Sequence, residues 1–261
     1  TSSRADYSPL KSLISLFEKS KDFKTTLVVT GQHLHKSSGH NFKEIKKNHK
    51  ILIKKLQLNY TNFKQKNISL YMSEIINKFS ILLSKNKPDF IIVLGDRYEI
   101  LSCVISSMQF MVPVVHIHGG EITTGSMDNL YRNLITKISH IHFVCHKDYK
   151  KRLIQMGENS KLVFNFGSPS LDFVKKDKNN FINKKLNNFV SKQKAFIVTY
   201  HPNTILPKET NSEITNLLKA LNNFKNYNFI ITYPNLDNSN HEIVKKIINH
   251  SKKQKNILVI K

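Results

Sequence analysis

Residues 113 to 144, PVVHIHGGEITTGSMDNLYRNLITKISHIHFV, gather histidines, Glu121, Asp128 and Arg132 around the glycine pair Gly119 and Gly120, between two apolar runs. Two glycines let a backbone approach a ligand closely, and a carboxylate delivered from such a turn lies where proton transfer can occur. Asp96, which follows an apolar run and Gly95, is a second carboxylate; taken alone it reads equally well as the N-cap of the next helix. Asp128 and Arg132 are four apart and share a helix face. An ordinary surface ion pair worth about 0.3–0.5 kcal/mol is one account of them. The other is that Asp128 opens a helix leaving the loop of Glu121, so that Asp96, Glu121 and Asp128 converge on one rim. Crowding there spreads carboxylate pKa values and divides acid from base.

His116 and His118 form an H-x-H on an apolar run, and His140 and His142 form another. Side chains at i and i+2 of a strand face the same way, the arrangement of a zinc dyad. Histidines inside apolar runs are also hydrogen-bonded core residues, and only His201 stands at a later run's end, so no metal is expected. His201, in TYHPNT, is stiffened by Pro202 and is a candidate proton carrier near neutral pH, or else a surface turn residue. Arg4, in TSSRADY, stands near a helix start, where N–H groups attract phosphate. No G-x-G-x-x-G or P-loop sequence occurs, which disfavours a nicotinamide cofactor and an ATPase, and no cofactor is expected.

These residues need elements to hold them. Short β-branched runs recur at 26–30, 90–94, 113–117, 141–145, 162–166, 195–200, 228–233 and 256–260, separated by amphipathic stretches. Continuous apolar strands alternating with helices mean a parallel sheet covered on both faces, hence an α/β, doubly wound fold. Ser8 and Pro9 suit the start of the first helix. The polar stretch around 175–195 separates two domains, 1–175 and 176–261. In such sheets ligands sit beyond the carboxyl ends of the strands. The polar groups found there supply the candidate substrate contacts: His33, Arg97, Gly119, Gly120, Asn203 and Asn235, with Arg4 and Arg132.

The 261 residues carry 41 basic and 18 acidic side chains, a net charge of +23. That balance invites a nucleic-acid reading. Its distribution argues against one, because lysines are scattered along the whole chain and the few arginines fall at Arg4, Arg97, Arg132 and Arg152. In a lysine-rich chain, guanidinium groups point to planar, bidentate anion contacts. No apolar run approaches the ~20 residues of a membrane span. The two cysteines, Cys103 and Cys145, lie in apolar surroundings, which suggests a reducing, cytoplasmic compartment without a disulfide framework.

RADY (4–7), TGQHL (30–34), LGDRYEIL (94–101), HIHGGEITTGSMDNLYRNLITKISHIHFV (116–144), NFGSPSLD (165–172), TYHPNT (199–204) and TYPNLD (232–237) resemble, in order and spacing, the hydrolysing UDP-N-acetylglucosamine 2-epimerases of sialic-acid and legionaminic-acid biosynthesis. The resemblance runs through essentially the whole chain. It implies a GT-B-like fold of two Rossmann-like domains facing a cleft, the second incomplete here, and a homodimer or homotetramer. It also implies a reaction: UDP is eliminated across C1 and C2 of the sugar, and water then adds to the glycal, releasing a 2-epimerised free sugar.

Family-like roles fall on Asp96, Glu121 and Asp128 as the carboxylates around C1 and C2, on His201 near the departing phosphate and on Arg4 as a phosphate contact, with Arg132 orienting Asp128 or the substrate. The C2 proton is not acidic, so UDP departure leads, leaving oxocarbenium character that anionic side chains stabilise. The chain stops at NILVIK, before the serine-rich, glutamate-bearing segment with which the family grips UDP, so weak or no turnover is expected of residues 1–261 alone. Non-hydrolysing epimerases share the fold and the elimination but return the sugar to UDP.

Overall fold

The computed structural model describes residues 1–35, 42–59, 65–174, 184–202, 209–234 and 240–260. The chain divides into two compact units, Thr1–Asp177 and Lys178–Lys261.

The first unit begins with helix α1, Arg4–Lys19. It starts earlier than Ser8 and Pro9 suggest, because Asp6 turns back over the helix start. Its two carboxylate oxygens accept from the backbone N–H of Ser2 at 2.6 Å and of Ser3 at 2.7 Å, satisfying donors that a helix end leaves open. Pro9 therefore lies inside the helix. Tyr7, Leu10 and Ile14, spaced by three and four, form its buried face.

Strand β1, Thr26–Val29, pairs in parallel with β2, Leu52–Lys55. Strand β2 is not among the runs expected above: its LIKK is largely exposed, with two apolar residues followed by two lysines. The short helix α2, Phe42–Asn48, precedes β2 and buries only Ile45. Helix α3, Gln65–Lys85, follows it.

The first unit also contains a four-stranded parallel sheet. Its order is β3 (Ile91–Leu94), β4 (Val114–Ile117), β5 (Ile141–Val144) and β6 (Val163–Asn165). Helices α4 (Tyr98–Gln109), α5 (Asp128–Ile138) and α6 (Lys147–Gln155) connect the strands. On one side α1 packs Tyr7, Leu10 and Ile14 with Val29, Leu94 and Ile117. A second cluster joins Val93 and Val114 to Ile100, Leu101 and Val104 of α4 and Ile135 of α5. A side chain such as Ile135, fully buried, contributes about 1.5–3 kcal/mol by leaving water. Helix α4 is buried on most sides, which its serines permit by bonding within the helix: Ser102 donates to the Tyr98 carbonyl at 2.8 Å and Ser107 to that of Val104 at 2.7 Å. The single turn α7, Leu171–Val174, follows β6.

The second unit opens with α8, Lys184–Val190, inside the stretch read as a polar interruption. Strands β7 (Ala195–Val198), β8 (Asn228–Thr232) and β9 (Ile257–Ile260) form a parallel sheet. Helices α9, Thr210–Leu221, and α10, Asn240–Ser251, pack on it through Ile214, Leu218, Ile243 and Ile247. Strand β7 departs from the expectation of strands covered on both faces: Phe196 and Ile197 are exposed, so an apolar run alone does not tell an edge strand from a central one.

Candidate active site

In the first unit, the chain just beyond the carboxyl ends of β3, β4, β5 and β6 supplies Asp96, His118 to Glu121, Cys145 and Ser168 respectively. The sheet order places these four loops side by side.

Glu121 is held through one oxygen. Its Oε1 lies 2.5 Å from His118 Nδ1 and accepts the Cys145 thiol at 3.2 Å. On its far side His118 Nε2 meets the Ser168 hydroxyl at 3.3 Å. A carboxylate can only accept, so Nδ1 carries the proton and, in the neutral ring, Nε2 accepts from Ser168. Partial burial acts to raise the Glu121 pKa, but the His118 and Cys145 hydrogen bonds and the charges of His118 and Arg132 outweigh it and set it below the ordinary carboxylate value. The thiol responds oppositely: burial first, then the neighbouring Glu121, push Cys145 up to about 11.

The loop around Glu121 depends on its glycines. At Gly119 a Cβ would stand 3.1 Å from both His116 Nδ1 and Thr136 Oγ1. Gly120, at φ +79°, would drive one to 2.5 Å from Leu153 Cδ1 and 2.8 Å from the Tyr149 carbonyl oxygen. Arg152 donates to the Gly120 carbonyl and fixes the turn from α6.

Arg132, buried on α5, does not stay on its own helix. Its Nη2 pairs with Asp96 Oδ2 and donates to Thr123 Oγ1 at 3.1 Å, while Nη1 donates to the Glu121 backbone carbonyl at 2.9 Å. One guanidinium thus ties the β3 carboxylate to the loop of the β4 carboxylate. Asp128 is the first residue of α5, one turn before Arg132, and is partly exposed.

The other sequence candidates within the described residues fall at four further places. Arg97, the N-cap of α4, is buried and its Nε donates to Glu99 Oε2 at 3.1 Å. Burial raises the Glu99 pKa, against the pull of Arg97. His33, in the short helical turn Gly31–Leu34, is fully buried, with Nε2 3.0 Å from Thr1 Oγ1. Burial lowers it to about 4, opposed by Asp6. Arg4 is exposed at the first position of α1. In the second unit His201 is exposed, three residues beyond β7. Asn203 and Asn235 lie outside the described residues.

The H-x-H pairs are split by the backbone. His116 is buried on β4, bonded through Nε2 to the Gly95 carbonyl at 2.9 Å and through Nδ1 to Thr136 Oγ1 at 3.2 Å. Burial pushes it down to about 3. His118 has already left the strand and adopts φ +66°, unusual for a residue with a Cβ. His142 is buried against Glu158 at 3.2 Å, while His140 is exposed and accepts the Val114 N–H at 3.2 Å. Among the described residues, the donors that could hold a metal are His118 Nδ1, Glu121 Oε1 and Cys145 Sγ, all within 4.8 Å of one another. The 2.5 Å between the first two is a hydrogen-bond spacing; two tetrahedral zinc ligands at ~2.0–2.1 Å from the ion stand about 3.3 Å apart.

The residues beside Glu121 were not legible as partners. Cys145 read as a small buried hydrophobe and Ser168 as part of a strand-end polar group; only the sheet order brings them to His118 and Glu121.

The family described as UDP-N-acetylglucosamine 2-epimerase matches residues 16–261. The chain is 37% identical over 239 residues to the GDP/UDP-N,N'-diacetylbacillosamine 2-epimerase (hydrolyzing) of Campylobacter jejuni, covering 91% of this chain and 62% of that protein. It is 33% identical over 249 residues to the polysialic acid biosynthesis protein P7 of Escherichia coli, covering 95% of this chain and 64% of that one. The chain therefore spans a little under two thirds of the length of these curated relatives. Among solved structures, the Neisseria meningitidis UDP-GlcNAc 2-epimerase bound to UDP-GlcNAc superposes with a TM-score of 0.78 at 19% identity, over 100% of this chain and 70% of that one. That likeness bears out the GT-B-like α/β fold class read from the sequence. Among the described residues no helix is long and apolar enough to cross a membrane.

Proposed function

The chain belongs to the UDP-N-acetylglucosamine 2-epimerase family, and we propose that it is a hydrolysing 2-epimerase of a UDP-linked 2-acetamido sugar. In the first step the C1–O bond breaks, UDP leaves with the electron pair, and a carboxylate takes the C2 proton, giving the glycal. In the second, water adds its oxygen to C1 and C2 receives a proton on the opposite face, releasing the free epimer. Anionic side chains stabilise the oxocarbenium character of both steps.

The observation that carries this reading is the Arg132 bridge, which holds Asp96 and the backbone of Glu121 together on neighbouring strand ends. Two carboxylates so fixed provide one group for the C2 proton and one for the cationic C1. Asp128, on the same helix as Arg132, is the third acidic group in this proposal. Arg4 is assigned to the diphosphate, as is His201 of the second unit, whose support is the resemblance of TYHPNT, and Arg97 remains a candidate substrate contact. The hydrolysing relative from C. jejuni favours release of free sugar over return to UDP, and its name favours a 2,4-diacetamido sugar as substrate beside UDP-N-acetylglucosamine. The same reading makes the protein a cytoplasmic homodimer or homotetramer in acidic-sugar biosynthesis.

The test is incubation with UDP-N-acetylglucosamine and with UDP-2,4-diacetamido-trideoxyhexose in D2O, followed by NMR. Free 2-epimerised sugar, UDP and deuterium at C2 are expected. A UDP-linked epimer in place of free sugar overturns the proposal.

A further inference from the structure

Glu121 is an asymmetric carboxylate. Its Oε1 takes both the His118 Nδ1–H at 2.5 Å and the Cys145 thiol at 3.2 Å, whereas among the described residues Oε2 takes no hydrogen bond. The two donors come from the ends of different strands, β4 and β5, and a third strand end, beyond β6, contributes Ser168 to the far nitrogen of His118. His118 reaches this place only through a left-handed backbone, φ +66°, that a side chain with a Cβ adopts at a cost of about 1–3 kcal/mol. Its own N–H is anchored on the Phe143 carbonyl at 3.0 Å, which ties the strained residue to β5.

We propose that His118 is a positioning residue, aided by Cys145 and Ser168, that pins Oε1 of Glu121 so that Oε2 is the oxygen offered to the sugar's C2 hydrogen. This rests on the functional reading above. Ser168 selects the tautomer: by donating to Nε2 it leaves the proton on Nδ1, where the carboxylate needs it. A carboxylate free to rotate would present either oxygen and lose the alignment that proton transfer from carbon requires, and a misplacement of about 1 Å in such a group lowers rate on the order of 10²-fold.

His118→Gly and His118→Asn separate positioning from bulk structure, because both residues tolerate the left-handed backbone while only asparagine keeps an N–H where Nδ1 stood. His118→Gly is expected to lower kcat about 100-fold with KM little changed, and to move the acidic limb of the pH profile upward, since Glu121 loses the donor that holds its pKa down. His118→Asn should recover most of both. Equal defects in the two variants, or wild-type kcat in His118→Gly, overturn the proposal. A ¹³C NMR titration of the Glu121 carboxyl reads the same hydrogen bond without turnover: its pKa should rise in His118→Gly, and no rise overturns the proposal irrespective of the kinetics. Formation of a UDP-linked epimer by wild-type protein, by contrast, overturns the functional reading, and the pinning of Glu121 then stands or falls on the titration.

Discussion

Arg132 is the ion-pair partner of Asp96 across 36 positions of sequence, and the same guanidinium holds the Glu121 carbonyl. Arg132 is 4% exposed, so its removal strands Asp96 beside a gap and releases the loop. Arg132→Ala should lose about 2–3 kcal/mol of stability, read as a lower urea midpoint. Arg132→Lys keeps the charge but lacks the planar fork, and should retain most of the stability while losing on the order of 10²-fold in kcat. Full activity in the lysine variant would show that the bridge is not needed.

Two left-handed glycines differ in their surroundings. A Cβ at Gly120 collides with Leu153 and the Tyr149 backbone, whereas one at Gly167, φ +83°, meets nothing within 4 Å. Gly120→Ala should therefore destabilise by about 2–4 kcal/mol, strain and overpacking together, and Gly167→Ala by about 1 kcal/mol, strain alone. Guanidinium melts of both variants check the difference; equal losses would contradict the close packing around residue 120.

Acid should loosen the first unit through its neutral histidines. His116 and His33 have folded pKa values lowered to about 3 and about 4 from 6.5, so below pH 6.5 the unfolded chain binds protons that the fold refuses. Stability is whole above pH 6.5 and falls as the pH drops from there toward 3–4. Each histidine accounts for about 2 kcal/mol by pH 5. Urea midpoints at pH 7 and pH 5 test this, and His116→Gln should flatten the dependence. An unchanged slope in that variant would remove His116 from the account.

Dialysis against a chelator should leave activity unaltered, because His118 and Glu121 meet at a proton-sharing distance. Activity that falls on chelation and returns with zinc would assign the His118, Glu121 and Cys145 group to a metal instead.

The parallel sheets were readable because β-branched runs buried on both faces leave little room for another reading, and their carboxyl ends led directly to Asp96 and Glu121. Strand β2 and the exposed face of β7 escaped notice, one because its two apolar residues are followed by two lysines and the other because its apolar residues lie without cover. Helical spacing drew Arg132 toward Asp128; sheet order, which no local pattern records, brings it to Asp96. His118 was read by strand alternation beside His116, but β4 ends at Ile117 and the left-handed turn sends the two rings to different tasks.

Cys145 lies 24 positions from Glu121, and Ser168 lies 50 from His118. None of these groups can meet until three parallel strands have found their neighbours, and parallel pairing closes long loops, which makes it slow. Until the sheet has closed, therefore, the chain holds no assembled group of Glu121, His118, Cys145 and Ser168.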